Sequence, residues 1–261
     1  MLNSEQRRAQ ILQALQSQDS VRVTRLAQRL GVSSVTIRTD LRALTEAGLL
    51  TRQHGGARLS HVAPPEAPLA EKRQLHRERK LRIAACAAAL VAPGDKLILD
   101  AGSTTLNLAR LLHASGPFTV FTNSLPIASE LANAEAVELI VSGGALRKAS
   151  QSLQGAQAEA SLQGYVFDKL FLGVDGFDCE FGLSTHDAAE ARLNAHMIEH
   201  ARRVIVLADS SKFGQLCLHR ICHTDRVHAV VSDAALPPLV RAALEQQGIE
   251  VIIATEHPHA S

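Results

Sequence analysis

The sequence is poor in residues that several classes of protein require. It has 261 residues with no Trp, one Tyr and 3% aromatic residues, which argues against a single-strand nucleic-acid binder that relies on base stacking. The cysteines Cys86, Cys179, Cys217 and Cys222 are few and irregularly spaced, which favours reduced thiols over a disulfide framework. The longest run of small apolar residues, 83–92, is half the roughly 20 residues of a membrane span. Because the polar start also lacks the apolar core of a secretory signal, we predict a cytoplasmic protein with no membrane partner.

A near-neutral total charge hides an excess of positive charge at the N-terminus. The chain has 27 Lys and Arg against 26 Asp and Glu. Residues 1–60 contain nine Arg, no Lys and four acidic residues, a net charge of +5, which leaves −4 for residues 61–261. A basic first segment before a mildly acidic body indicates that the first segment binds a polyanion.

Residues 1–58 have the pattern of a winged helix-turn-helix domain. Gly31 separates the second and third predicted helices, and LLTRQHGGARL predicts two short strands around His54, Gly55 and Gly56. Thr24 is the expected cap of the second helix, and Ser33 or Ser34 that of the third. The three helices are predicted over 4–17, 24–30 and 34–47.

The third helix has an apolar side for packing and an opposite side suited to a DNA major groove. An outward valine and threonine between arginines would be unusual on a merely solvated face. The alternative is a small three-helix element for protein contacts, with solvated arginines. The predicted contacts to double-stranded DNA are Ser33, Ser34, Val35, Thr36, Arg38, Thr39 and Arg42, with Arg7, Arg8, Arg22, Arg25, Arg52 and His54 as candidate contacts to the backbone or at the wing.

The rest of the chain predicts an α/β domain with a parallel sheet. Residues 60–72 contain three prolines and no apolar period, so they are predicted to be a linker, followed by a helix over about 72–91. Continuous apolar runs then alternate with helical patterns, as in strands covered on both faces. The predicted strands lie at 96–100, 118–122, 137–143, 168–176, 203–209, 228–233 and 249–254.

Polar loops follow most of these predicted strands, and ligands bind beyond the carboxyl ends of strands in open α/β sheets. Glycines and hydroxyls before a helix offer free N–H groups to a phosphate, although such loops often serve only as helix caps. Five of them at one edge predict a site for a phosphorylated metabolite. The loops contain residues 101–105; Asn123 and Ser124; Gly143 and Gly144 with Arg147 nearby; Asp175 and Gly176; and residues 210–212.

The sequence resembles the DeoR family of bacterial transcriptional regulators. The resemblance begins in GVSSVTIRTDLRALTEAGLLTRQHGGA and continues through DAGSTT, TNS, SGGALR, FLGVDGFD, GLSTHDAAEARLN and ADSSKF. It is greatest for the subgroup that regulates the use of N-acetylgalactosamine and related amino sugars. Many members have a basic residue where this chain has Thr39, which removes one possible DNA contact.

The resemblance implies a Rossmann-like effector domain similar to ribose-5-phosphate isomerase and glucosamine-6-phosphate deaminase, with an N-terminal winged helix. It implies a repressor of a carbohydrate operon, acting as a dimer or tetramer, whose DNA affinity is controlled by a phosphorylated sugar. The expected domains are 1–58 for DNA binding, 59–79 for the linker and the start of a connecting helix, and 80–261 for the effector domain. The residues implied for the effector pocket are Asp100, Gly102, Ser103, Thr104, Thr105, Asn123, Gly143, Asp175, Glu190 and Lys212, to which the strand-end loops add Gly144 and Arg147.

Two other functions remain open at this point. Asp175, Glu190 and Lys212 could move protons next to a sugar carbonyl, which would make the protein an isomerase or deaminase with an appended DNA-binding head. The regulator could also be an activator, or use the sugar as a co-repressor. We predict no catalytic residues and no cofactor. We also predict no metal site, because the cluster Cys217, His219, Cys222 and His223 lacks the second half of a zinc motif.

Overall fold

The computed structural model describes residues 3–16, 21–46, 50–53, 55–59, 63 and 65–255. The chain divides into two compact units, residues 1–65 and 66–261. No helix in the described ranges is both long and apolar enough to cross a membrane.

The first unit has three helices and a three-stranded antiparallel sheet in the order β1-β3-β2. Its core contains Ile11, Leu26, Ile37 and Leu41, all nearly or fully buried. The elements are α1 Ser4–Gln16, β1 Val21–Arg22, α2 Val23–Leu30, α3 Ser34–Glu46, β2 Leu50–Gln53 and β3 Gly56–Leu59. Three helices followed by a hairpin confirm the predicted winged helix-turn-helix.

The start of α2 differs from the prediction that Thr24 caps it. The helix begins at Val23, and Arg22 occupies the N-cap position without a side-chain cap. Arg22 belongs to β1, and the Val23 N–H donates to the Gly55 carbonyl at 3.0 Å. The strand therefore runs directly into the helix, and the Gly55 carbonyl of the wing pairs with one of the N–H groups that have no partner within the helix.

The second unit is built on a seven-stranded sheet in the order β15-β14-β12-β9-β4-β5-β6. Its helices are α4 Leu69–Lys72, α5 Arg77–Ala88, α6 Ser103–Leu112, α7 Leu125–Leu131, α8 Ala156–Ala160, α9 Ala188–Glu199 and α10 Pro238–Gln246. Its strands are β4 Lys96–Leu99, β5 Phe118–Thr122, β6 Val137–Val141, β7 Ala145–Arg147, β8 Ser152–Gln154, β9 Phe167–Gly173, β10 Gly176–Asp178, β11 Gly182–Thr185, β12 Ala201–Leu207, β13 His219–Cys222, β14 Ala229–Asp233 and β15 Glu250–Ala254.

All neighbouring strands of the seven-stranded sheet are parallel, as the alternating pattern predicts. Successive residues of β4 enter different cores: Ile98 packs in one apolar cluster, and Leu97 and Leu99 pack in the other. Burial on both faces explains why these strands have continuous apolar sequences. The chain runs outward from β4 through β5 and β6 and returns on the other side of β4 as β9, so the order reverses between β4 and β9.

Two parts of this unit differ from the sequence prediction. The helix expected over about 72–91 is shorter in the structure: α5 spans Arg77–Ala88 and begins after His76, which adopts a left-handed conformation at φ 53° and separates it from the short helix α4. Two small antiparallel sheets, β7-β8 and β10-β11-β13, were not predicted. Their strands have three or four residues, too few for a clear alternating pattern.

Candidate functional site

Helix α3 presents a polar, basic side to solvent and an apolar side to the first unit's core. Ile37, Leu41 and Leu44 are buried, while Val35 is 69% exposed. The other residues predicted on the outer side, Arg38, Thr39 and Arg42, are also exposed. This side is therefore available to a major groove, which admits an α-helix.

The turn before α3 is closed by two local interactions. Gly31 ends α2 in a left-handed conformation at φ 64°. The Thr36 N–H donates to Ser33 Oγ at 3.1 Å, and the Ser33 and Thr36 hydroxyls lie 2.9 Å apart. Ser33, rather than Ser34, is therefore the residue that caps the helix.

The residues outside α3 that were predicted to contact the DNA backbone or to lie at the wing have different surroundings. Arg7 Nε lies 2.5 Å from Oδ2 of the buried Asp40, and Arg8 Nε lies 3.3 Å from Oδ1. Both arginines thus join α1 to α3, and the Arg7 side chain is only 12% exposed. Arg22 and Arg25 are exposed. His54 and the side chain of Arg52 lie outside the described residues.

The second unit has a pocket at the carboxyl ends of β4, β9 and β12, next to the reversal in strand order. It has about 620 Å³ of empty space, part of it open to solvent. Six of the residues predicted from the sequence line it: Gly102, Ser103, Thr104, Asp175, Glu190 and Lys212. Its other polar residues are Lys72, Lys80, Ser150 and Asp209.

One wall of the pocket combines a helix N-terminus with lysine side chains. Gly102 is the N-cap of α6 and makes no side-chain cap, and Ser103 and Thr104 form the first helical turn. Lys72, Lys80 and Lys212 line the same pocket. Free N–H groups, hydroxyls and ammonium groups are what a phosphate binds.

Lys80 is 5% exposed, although it is charged under ordinary conditions. Its Nζ donates to the Lys72 carbonyl at 2.6 Å. Burial lowers the pKa of Lys80 to about 8, although the negative charge of Asp209 partly offsets this decrease. An anion in the pocket would favour its protonated form.

Two carboxylates, Asp175 and Glu190, line the same pocket as these lysines. Asp175 lies 2.8 Å from Lys72 Nζ and 3.8 Å from Lys212 Nζ. Burial alone would raise the pKa of Asp175, but these two ammonium groups hold it below its ordinary value. Burial raises the pKa of Glu190 to about 7, and the negative charge of Asp175 adds to that increase.

Other predicted pocket residues lie behind the lining or beside it. Asn123 Oδ1 accepts from the Ala101 N–H at 2.9 Å, and Thr105 Oγ1 donates to the Gly102 carbonyl at 3.1 Å. Asp100 is buried, and its pKa is raised well above the ordinary value by burial and by the charge of Glu190. Gly143 and Gly144 lie in the connection from β6 to β7, and Gly144 has a positive φ of 114°.

Several buried polar atoms in this region have no hydrogen-bond partner among the described residues. They include Asp100 Oδ1, Asn123 Nδ2 and Glu190 Oε2, although the last lies 3.7 Å from Arg147 Nη1. Leaving a buried polar atom unpaired costs about 1–3 kcal/mol. Of these three residues only Glu190 lines the pocket, where a ligand hydroxyl could donate to its Oε2.

Sequence reasoning missed the contributions of Glu66, Leu69, Lys72 and Lys80. The first three lie in the segment predicted to be a linker, because its prolines and lack of an apolar period gave no sign that Leu69 is buried. Lys80 could have been found from helical periodicity, because it is in register with the buried residues Ile83, Ala84 and Ala87.

The cysteine and histidine cluster is spread over β13 and the residues around it. His186 Nε2 lies 3.7 Å from Cys217 Sγ, and burial raises the pKa of the Cys217 and Cys222 thiols to about 12. Within the described part of the chain, no three His, Cys, Asp or Glu side chains are placed to hold a metal ion.

Comparison with known families decides between a regulator and an enzyme. Residues 7–62 match the DeoR-like helix-turn-helix domain, and residues 75–234 match the DeoR C terminal sensor domain. The chain belongs to the DeoR family. A DeoR sensor domain joined to a DeoR helix-turn-helix makes the protein a DNA-binding transcriptional regulator and not an enzyme.

Its relatives in this family match along nearly the whole chain. A protein of Escherichia coli O157:H7 named as an aga operon transcriptional repressor is 44% identical over 97% of this chain and 95% of its own length. The glycerol-3-phosphate regulon repressor of Escherichia coli K12 is 30% identical over 96% of this chain and 99% of its own.

Solved structures similar to this chain include ribose 5-phosphate isomerase A from Methanocaldococcus jannaschii. It is 20% identical, with a TM-score of 0.40, and the match covers 53% of this chain and 55% of the isomerase. The translation initiation factor eIF-2B of Pyrococcus horikoshii OT3 has a TM-score of 0.39 over 55% of this chain and 50% of its own.

Proposed function

We propose that this DeoR-family protein represses a carbohydrate-utilisation operon, with an amino-sugar operon as the preferred candidate. A phosphorylated sugar in the pocket of the second unit would weaken operator binding by the winged helix. The name of the aga operon relative supports the choice of pathway. Symmetric operator half-sites require at least a dimer, so we propose a dimer or tetramer in the cytoplasm.

The observation that carries this proposal is the composition of the pocket. Lys80, Lys212 and the open N-terminus of α6 would hold the phosphate, since ammonium groups and a helix N-terminus both favour negative charge. Glu190 lines the pocket with its Oε2 unpaired, and Ser103, Thr104 and Ser150 add hydroxyl groups that would meet those of a sugar. A ligand with an anionic end and a polyhydroxyl end fits both halves of this arrangement.

Thermal-shift measurements would test the ligand class. The probes are galactosamine 6-phosphate, N-acetylgalactosamine 6-phosphate, fructose 6-phosphate and glycerol 3-phosphate, each paired with its unphosphorylated form. Binding to the native state raises Tm, and we expect only phosphorylated sugars to do so. Equal shifts with phosphorylated and unphosphorylated forms would contradict the phosphate assignment.

A matched pair of variants would locate the site. Lys212→Met should weaken binding of the active sugar phosphate about tenfold, which corresponds to about 1.4 kcal/mol. Lys148→Met, on an exposed residue outside the pocket lining, should leave it unchanged. Titration of an operator duplex, selected from a random pool by the protein itself, would then give the sign of regulation. Tighter operator binding with sugar phosphate would indicate a co-repressor instead of an inducer.

A further inference from the structure

Residues 66–72, which we call the strap, lie across the pocket. Leu69 is 4% exposed, and its N–H donates to the Ala149 carbonyl at 2.8 Å. Leu69 and Lys72 are both part of the pocket lining. The strap is therefore seated in the second unit by a buried side chain and a backbone hydrogen bond, although its composition resembles that of a linker.

Lys72 carries the strap's positive charge into the pocket. Its Nζ donates to Asp175 Oδ1 at 2.8 Å and lies 3.6 Å from Glu66 Oε1. Burial alone would lower the pKa of Lys72, but Asp175 and Glu66 raise it above its ordinary value. The Lys72 ammonium group therefore stays charged and pairs with Asp175, a carboxylate that the sequence analysis predicts to bind the ligand.

Glu66, one of the two acidic residues of the strap, forms an ion pair with Arg147. Arg147 donates to both Glu66 carboxylate oxygens, with Nη1 2.8 Å from Oε1. The same guanidinium lies 3.5 Å from Asp187 and 3.7 Å from Glu190. Arg147 was also assigned to the ligand from the sequence, so Lys72 and Glu66 of the strap each engage one residue predicted to bind the ligand.

A pivot for the strap lies just beyond it. His76 has a φ of 53°, a left-handed conformation that separates α4 from α5. Helix α5 is held by the buried residues Ile83, Ala84 and Ala87. A rotation at this residue would swing the strap away from α5 and would break the hydrogen bond from Lys80 Nζ to the Lys72 carbonyl. The strap also follows the winged-helix unit directly along the chain, since that unit ends at residue 65.

We propose that the strap is an internal competitor for the effector pocket, and that its release transmits ligand binding to the DNA-binding unit. This inference rests on the proposed function. A bound sugar phosphate takes over Asp175 and Arg147, which frees Lys72 and Glu66. Because the strap leads into the winged helix, its release changes the tether that positions this unit on the operator.

Hydrogen exchange of the full-length protein, with and without saturating galactosamine 6-phosphate, gives a signature of displacement. Ligand binding ordinarily slows exchange near a site, and residues 101–105 should slow accordingly. The strap should do the opposite: the Leu69 amide should exchange at least several-fold faster. Slower exchange in both segments would mean that the strap closes over the ligand, and would overturn the proposal. An unchanged exchange rate at residues 101–105 would count against the proposed ligand site. The role of the strap would then be tested by the ligand-free variants described next.

Ligand-free variants test the strap independently of the probe. Lys72→Met and Glu66→Gln each remove one of the charges that hold the strap, and each should speed exchange at Leu69 and weaken operator binding at least threefold. Arg73→Met, at the adjacent exposed residue, is the matched control and should change neither property. Unchanged or tighter operator binding by both strap variants, with Tm showing that they are folded, would refute the coupling.

Discussion

Glu190 shows how burial changes the chemistry of a single residue in the pocket. Its carboxylate accepts a hydrogen bond from Thr185 Oγ1 at 2.9 Å, and burial raises its pKa from 4.5 to about 7. The native state therefore retains this proton at pH values where the unfolded state loses it. The contribution of Glu190 to stability is complete below pH 4.5 and is lost as the pH rises through about 7.

Glu190→Gln should consequently reduce the pH dependence of stability. The variant keeps an acceptor for Thr185 but has no proton to lose, so above pH 7 it should be more stable than the wild type by up to about 3 kcal/mol. Urea unfolding at pH 5, 6, 7 and 8, followed by circular dichroism, would measure this difference. Glu180→Gln, on an exposed residue, is the control. A constant difference between wild type and Glu190→Gln at all four pH values would disprove the assignment.

Lys80 should take up a proton when a sugar phosphate binds. Its pKa of about 8 leaves it partly neutral at pH 8, and a nearby phosphate would favour the charged form. Calorimetry in buffers of different ionisation enthalpy should show net proton uptake at pH 8, and Lys80→Met should abolish it. Equal uptake by the wild type and the variant would show that another group is responsible.

At the scale of elements, α3 has residues that pack in the core on one side and residues predicted to contact DNA bases on the other. Arg42 lies on the exposed side of the helix, and Arg25 is exposed on the neighbouring α2. We expect Arg42→Ala to cost about 1–3 kcal/mol on the specific operator and to relax one base preference. Arg25→Ala should instead weaken all duplexes alike, as loss of a phosphate contact does. Binding titrations on operator and random duplexes measure both, and equal losses for Arg42→Ala on the two would argue against base reading.

The elements also differ in how well the sequence predicts them. Strand β5 was predicted over 118–122 and spans Phe118–Thr122, because its apolar run is buried on both faces. The break between α4 and α5 was not predicted, because His76 occupies its left-handed position without the strong sequence signal that a glycine would give. The packing of the strap on the second unit was also missed, since it depends on contacts with residues 80 to 103 positions away in the chain.

At the scale of the whole molecule, each unit has its own apolar core. We therefore expect a fragment of residues 66–261 to fold alone and to keep its thermal shift with the active sugar phosphate, while losing operator binding. Circular dichroism, thermal shift and duplex titration would check these three properties. A folded fragment that no longer responds to the sugar phosphate would show that the pocket needs the first unit.

The sequence alone determined the winged helix, the parallel α/β class and the polar loops at the strand ends, because each depends on local periodicity and turn chemistry. Only the tertiary structure decided which loops share a pocket. The strand order places the ends of β4, β9 and β12 side by side, while β6 lies at the sheet edge, so Gly143 and Gly144 do not line the pocket. It also decided that Lys72 pairs with Asp175. Such long-range pairings follow from the packing of the whole domain and leave no periodic signal in the chain.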